Sequence, residues 1–182
     1  MKVLFFSDVH GAPESVELLE KRIAEFEPSV LALLGDVLYH GPRNPLRPDY
    51  EPPEVVRRLN RLADRIVAVR GNCDCEVDQM LLEFPLMSDY STLLVDGVYF
   101  FLTHGHRWNE THLPPLPSGA VLAHGHPHIP ELKRLDSGTV IFNPGSLSLP
   151  KRGLPASYGT FEDGLLRIIE LESGREMSAL NL

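Results

Sequence analysis

The chain is cut into short apolar runs, and most of them stop at a glycine or a polar cluster. Residues 2–6 (Lys2-Val3-Leu4-Phe5-Phe6) read as a buried strand that ends at Ser7-Asp8. Residues 15–26 carry Val16, Leu19, Ile23 and Phe26 at helical spacing, and Pro28 closes the segment. Residues 29–34 are a second buried strand, ended by Gly35. Residues 54–62 repeat the helical pattern through Val55, Leu59 and Leu62, and residues 65–69 form a third strand ended by Gly71. Strands that alternate with helices predict parallel crossover units, with helices on the face of a sheet.

The period changes in the second half. Residues 93–95 and 98–102 flank Asp96-Gly97 and predict a hairpin. Short strands follow at 121–123, 131–135 and 139–142, then a second hairpin at 157–161 and 165–171 with Gly164 in its turn. The second half therefore reads as mainly antiparallel. The simplest architecture is two stacked sheets with helices outside. Two proline-rich loops, 39–53 and 107–117, are the best candidates to shape a pocket.

The 182 residues fit one domain spanning 1–182, with 43% hydrophobic content. Asp plus Glu is 25 against 17 Lys plus Arg, for a net charge of −8. That acidity argues against extended nucleic acid or an anionic membrane as a partner. It leaves room for a phosphate-bearing substrate, because bound cations can dominate a site's charge. The two cysteines, Cys73 and Cys75, form no disulfide framework. The apolar run 3–6 is too short for a secretory signal, and no stretch reaches the ~20 apolar residues of a membrane span. A cytoplasmic protein is expected.

Five polar clusters sit just after the apolar runs: Ser7-Asp8-Val9-His10-Gly11, Leu34-Gly35-Asp36, Arg70-Gly71-Asn72-Cys73-Asp74, Thr103-His104-Gly105-His106 and His124-Gly125-His126-Pro127-His128. In open α/β sheets, ligands bind beyond the carboxyl ends of the strands. Side chains placed there converge on one edge, although they are far apart in the chain. Asp8 and His10 are two apart, so in extended backbone both would point the same way, and His126 with His128 repeats the arrangement. Oxygen and imidazole donors of this kind suit a divalent metal and metal-assisted attack of water on a phosphorus ester. The imidazoles argue against a dedicated Ca²⁺ or Mg²⁺ cage, while Mn²⁺, Fe²⁺, Co²⁺, Ni²⁺ and Zn²⁺ all remain open.

Taken in order, Asp8-x-His10, Gly35-Asp36, Gly71-Asn72-Cys73-Asp74, His104 and Gly125-His126-x-His128 resemble the calcineurin-like metallophosphoesterase family. Its small bacterial phosphodiesterases are also similar at Gly35-Asp36-Val37-Leu38, at His40-Gly41-Pro42-Arg43-Asn44 and at Phe142-Asn143-Pro144-Gly145-Ser146. The resemblance implies an α/β fold, a four-layer α/β/β/α sandwich of two stacked mixed sheets flanked by helices. It implies two divalent ions, with Mn²⁺ favoured. One would be held by Asp8, His10, Asp36 and His128, the other by Asp36, Asn72, His104 and His126. Asp36 would bridge them, and a hydroxide between the metals would attack a small phosphodiester. It also suggests a homo-oligomer. Catalytic weight would fall on Asp36, Asn72 and Cys73. Cys73 departs from the pattern, since many relatives have a histidine there that helps the leaving group.

Arg43, Asn44 and His106 are candidates to contact substrate. The competing reading of Arg43 and Asn44 is a proline-pinned surface loop, and that of His106 a loop position beside the site. His124 reads as packing, and Asp74 as a group that orients its neighbours. Alternative functions with the same site are a phosphomonoesterase or a cyclic-nucleotide phosphodiesterase. A non-catalytic interaction scaffold of the same fold is the alternative of another class.

Overall fold

Successive side chains of a strand point to opposite faces, and the first strand uses both. In β1 (Val3–Phe6), Leu4 and Phe6 enter one core while Val3 and Phe5 enter another. That split sets the layering of the chain, whose computed structural model describes residues 1–182.

The first core lies between a sheet and two helices. In α1 (Pro13–Phe26), Val16, Leu19 and Ile23 are buried, matching the 3.6-residue period read from the sequence. Pro13 stands at the first helical turn, where its missing N–H costs nothing. These side chains meet Leu4 and Phe6 of β1 and Leu31 and Leu33 of β2 (Val30–Leu33). Val55 and Leu59 of α2 (Pro52–Asn60) complete the contact, ahead of β3 (Ile66–Ala68). A third helix, α3 (Glu76–Leu81), was not expected. It is short, and Val77, Met80 and Leu81 are exposed, so no amphipathic stripe marks it. It forms through a capping box in which the Asp78 carboxylate accepts the Cys75 N–H at 2.9 Å.

The second half supplies β4 (Tyr90–Val95), β5 (Val98–Thr103), β6 (Val121–Ala123), β7 (Glu131–Arg134), β8 (Val140–Asn143), β9 (Ser157–Glu162), β10 (Leu165–Glu170) and β11 (Glu176–Asn181). One sheet has the order β11-β10-β9-β1-β2-β3, the other β4-β5-β6-β8-β7. The C-terminal hairpin thus joins the N-terminal sheet, with β9 antiparallel to β1. The unforeseen β11 extends that edge by pairing with β10. The second half is mainly antiparallel, as expected, through β4–β5, β7–β8, β9–β10 and β10–β11. The unforeseen feature is that β5, β6 and β8 run parallel at the centre of the second sheet. Loops rather than helices connect these parallel strands, so the usual crossover signal is missing from the sequence.

Between the sheets, Phe5 packs against Phe100 and Phe142 at centroid distances of 5.4 and 5.2 Å. Each such buried aromatic contributes roughly 1.5–3 kcal/mol. The two stacked mixed sheets are as expected. The outer face of the second sheet, however, is covered by a loop where a helical layer was foreseen. Phe101, Leu122 and Ile141 pack there against Trp108 and Leu116. The 107–117 loop therefore shapes that face rather than the pocket. No helix is long and apolar enough to cross a membrane.

Candidate metal centre

β1, β2 and β3 are parallel neighbours, and so are β5 and β6. Their carboxyl ends carry Asp8, Asp36, Asn72, His104 and His126 onto one edge where the two sheets meet. The ladder continues past the strands into the loops. The N–H groups of Asp8, His10 and Gly11 donate to the carbonyls of Gly35, Asp36 and Val37 at 2.9–3.0 Å. The extended-backbone reading of Asp8 and His10 is corrected: their φ values are 57° and 48°, and Asp36, His126 and His128 stand at 56°, 76° and 60°. Five of the seven candidate ligands are therefore in the left-handed region, which non-glycine residues seldom occupy outside functional or tight-turn positions.

The donors nonetheless converge. The Nε2 atoms of His128 and His10 lie 3.3 and 3.7 Å from Asp8 Oδ1. Those of His104 and His10 lie 3.3 and 3.8 Å from Asp36 Oδ2. Asn72 Oδ1 is 3.1 Å from His104 Nε2. Three groups fall within mutual coordinating reach: Asp8-His10-His128, Asp8-Asp36-His104 and His10-Asp36-Cys73. His126 is held from the other side, its backbone N–H donating to Asp8 Oδ2 at 3.1 Å, and it lines the cleft together with Asp36, Asn72 and His128.

Three imidazoles are fixed the same way. Nδ1–H of His10, His104 and His128 donates to the carbonyls of Tyr39, Leu34 and Leu149 at 2.7, 2.7 and 2.8 Å. Each bond turns Nε2 toward the carboxylates and sets the tautomer a metal ligand needs. Asp74 fixes the loops, its carboxylate accepting the N–H groups of Asp36, Val37 and Gly71 at 2.8, 2.8 and 2.7 Å. Only glycine fits at position 71, since an added Cβ would lie 2.1 Å from Asp36 Oδ1. The Asn143-Pro144-Gly145-Ser146 stretch braces Asp8, whose carbonyl accepts the Ser146 and Ser148 hydroxyls at 3.0 Å.

Burial opposes charge on every one of these groups, and their mutual attraction decides the balance. Burial alone would raise Asp8 and Asp36, yet the imidazoles of His10 and His104 hold both carboxyls well below the usual range. Burial would lower His104, but the hydrogen-bonded Asp36 and the charge of Asp8 bring it up to about 9. His126 lacks such a close carboxylate, and burial with the charge of His104 takes it down to about 4. The Cys73 thiol is pushed up to about 12 by burial and by Asp36. Among the seven candidate ligands, one buried side-chain atom has no hydrogen-bonding partner: Asp8 Oδ1, in a fully buried residue. Leaving a buried carboxylate oxygen unpaired costs about 1–3 kcal/mol or more. A divalent cation among these donors would satisfy it, so the residues fit one.

A cleft of about 480 Å³ opens over the donors and is lined in part by Arg43, Asn44 and Cys73. Lys151 also lines it, a residue the sequence gave no reason to place there. His106 does not line the cleft, and its ring stands 5.5 Å from that of His104. His40 packs between Tyr39 and Tyr50. His124 is buried against Gly125 and Asn143.

Parallel strands delivering paired carboxylates and imidazoles to one sheet edge define a metal-dependent hydrolase of phosphoesters. Residues 1–163 match the calcineurin-like phosphoesterase superfamily domain, and the chain belongs to that superfamily. Phosphodiesterase YfcE of Escherichia coli K12 is 45% identical over 172 residues, which cover 94% of this chain and 92% of that protein. The solved structure of the E. coli phosphoesterase Yfce superposes with a TM-score of 0.96 at 43% identity, covering 100% of this chain and 99% of that one. Entamoeba histolytica Vps29, solved in complex with zinc, shares the fold with a TM-score of 0.60 at 17% identity over 100% of this chain and 99% of its own.

Proposed function

We propose that this chain is a metal-dependent phosphodiesterase that hydrolyses small phosphodiesters at a dinuclear centre, with residues 1–182 acting as one catalytic domain. The observation that carries the reading is Asp36: a buried carboxylate that belongs to two separate donor groups, one with Asp8 and His104 and one with His10 and Cys73. One cation would be held by Asp8, His10, Asp36 and His128, and the second by Asp36, Asn72, His104 and His126. Bound divalent ions, with Mn²⁺ preferred, supply a water ionised near neutral pH and positive charge facing the phosphoryl oxygens.

The chain's own residues do the rest. The carbonyls of Tyr39, Leu34 and Leu149 keep three Nε2 lone pairs directed at the site. Asp74 holds the Asp36 and Asn72 loops in register. Arg43 and Asn44 meet the substrate at the cleft rim. Identity of 45% to a phosphodiesterase supports diesters over monoesters or cyclic nucleotides. A complete donor set supports catalysis over a scaffold role. Unpaired Cys73 and Cys75 agree with a cytoplasmic setting, and homo-oligomeric assembly belongs to the same reading.

Two measurements test this. Anomalous scattering at metal edges, on protein purified without added metal, is expected to report two sites sharing Asp36; one site alone removes the dinuclear reading. The metal-loaded protein is expected to hydrolyse bis(4-nitrophenyl) phosphate faster than 4-nitrophenyl phosphate or a cyclic nucleotide. Faster monoester hydrolysis overturns the diester assignment.

A further inference from the structure

The chain has 17 Lys and Arg side chains, and 14 of them make a hydrogen bond or ion pair within the molecule. Arg43, Lys151 and Arg152 make none. Partners are not scarce, since the chain has 25 carboxylates. Two of the three unpaired cations, Arg43 and Lys151, line the same cleft, and Arg152 follows directly. The only acid lining that cleft is Asp36, which is engaged by His104 and by the Cys73 N–H.

Both cations are carried on backbone tied to the centre. The Lys151 N–H donates to the carbonyl of His128 at 3.2 Å, while His128 Nδ1–H donates to Leu149 O at 2.8 Å. Arg43 lies in a turn closed by the Asn44 N–H on Gly41 O at 3.3 Å and by Asn44 Nδ2–H on His40 O at 2.8 Å. A Cβ on Gly41 would reach Cys73 Sγ at 3.4 Å, so the turn abuts the donor loops. The cleft's 480 Å³ extends well beyond a single phosphodiester group, and only one of its eleven lining residues is hydrophobic. A guanidinium fork and an ammonium suit phosphate oxygens.

We propose that Arg43 and Lys151 form a second anion subsite, so that the preferred substrates are phosphodiesters bearing a phosphomonoester on one alcohol arm. This rests on the phosphodiesterase reading above. Two unpaired positive charges match a phosphomonoester, which carries about −1.5 to −2 at pH 7.

The test compares two diesters with the same scissile bond: 4-nitrophenyl ethyl phosphate, and its analogue with a phosphate on the ethyl arm. With metal-loaded native protein, the added phosphate is expected to raise kcat/KM about 10-fold, mainly through KM. Lys151→Met and Arg43→Met should each shrink that ratio, and Lys151→Glu should bring it to one or below. A native ratio near one overturns the subsite, as does a ratio preserved in the Arg43→Met/Lys151→Met double variant. An equal gain from a phosphate on a decyl tether would mean long-range attraction and overturn it too. If neither diester is hydrolysed, the phosphodiesterase reading fails by itself. The subsite is then judged by calorimetric binding of 1,3-propanediol bisphosphate against propyl phosphate, where equal affinities sink it.

Discussion

Cys73 stands where the resemblance read from the sequence implies a histidine in many relatives. Its thiol is half-buried and kept neutral by burial and then by Asp36, and neither protonation state of a thiol places positive charge beside a departing alkoxide. Substrates with acidic leaving alcohols are therefore favoured. Cys73→His is expected to accelerate hydrolysis of an alkyl leaving group about 10-fold or more and leave a 4-nitrophenyl ester nearly unchanged. Rates measured across leaving groups of rising pKa decide it, and a uniform effect would refute the idea. His104 gives a second expectation. Its imidazole is raised to about 9, so in metal-free protein it holds a proton throughout the neutral range. A metal needs that nitrogen bare, so binding at pH 7.5 should release about one proton from this group, and the release should fade as pH rises through 9. Titration calorimetry in buffers of different ionisation enthalpy reads the number, and a value of zero at pH 7.5 contradicts the assignment of His104.

At the scale of elements, the strand ends were legible and the loops were not. The apolar runs ending at Asp8, Asp36, Asn72 and His104 announced where strands stop and donors begin. The left-handed backbone at Asp8, His10, Asp36, His126 and His128 was hidden, because strand alternation predicts direction only for extended residues. α3 was hidden because its apolar residues face solvent, and β11 because Glu176–Asn181 has no buried member. Lys151 could not be placed because it follows the donor clusters at 8–128 in the chain and is tied to them by its backbone bond to His128, which no local pattern signals. The loop clip at Asp74 carries a prediction of its own. Asp74→Ala strips three buried N–H groups of their acceptor. A loss of about 3 kcal/mol in urea unfolding is expected. Mn²⁺ affinity should fall about 10-fold or more, since the Asp36 and Asn72 loops lose their common anchor. Unchanged stability would show that water replaces the carboxylate fully.

For the whole molecule, the centre is a seam. Asp8, Asp36 and Asn72 follow strands of one sheet, and His104, His126 and His128 follow strands of the other. A cation bound by both sets ties the sheets together at an edge where two buried carboxylates otherwise face imidazoles. Ions present at 100 times their dissociation constant stabilise by about 2.7 kcal/mol. For a chain of this length that corresponds to a Tm shift of roughly 5–10 °C. Calorimetric scans before and after chelation should show that fall, and readdition of Mn²⁺ should reverse it. Identical scans would argue that the metal does not bridge the sheets. The sandwich itself was readable from apolar periodicity. The covering of the second sheet by the 107–117 loop was not, since Trp108 and Leu116 carry no periodic signal.

The unusual torsions at the five donor positions also limit how this protein can be disarmed. Branched replacements such as Val or Thr would clash with the main chain as well as removing a donor. Asn or Gly tolerates the same twist while abolishing the carboxylate or imidazole. An inert but faithfully shaped decoy is therefore reachable through very few substitutions, and Asp36→Asn is the natural first choice among them.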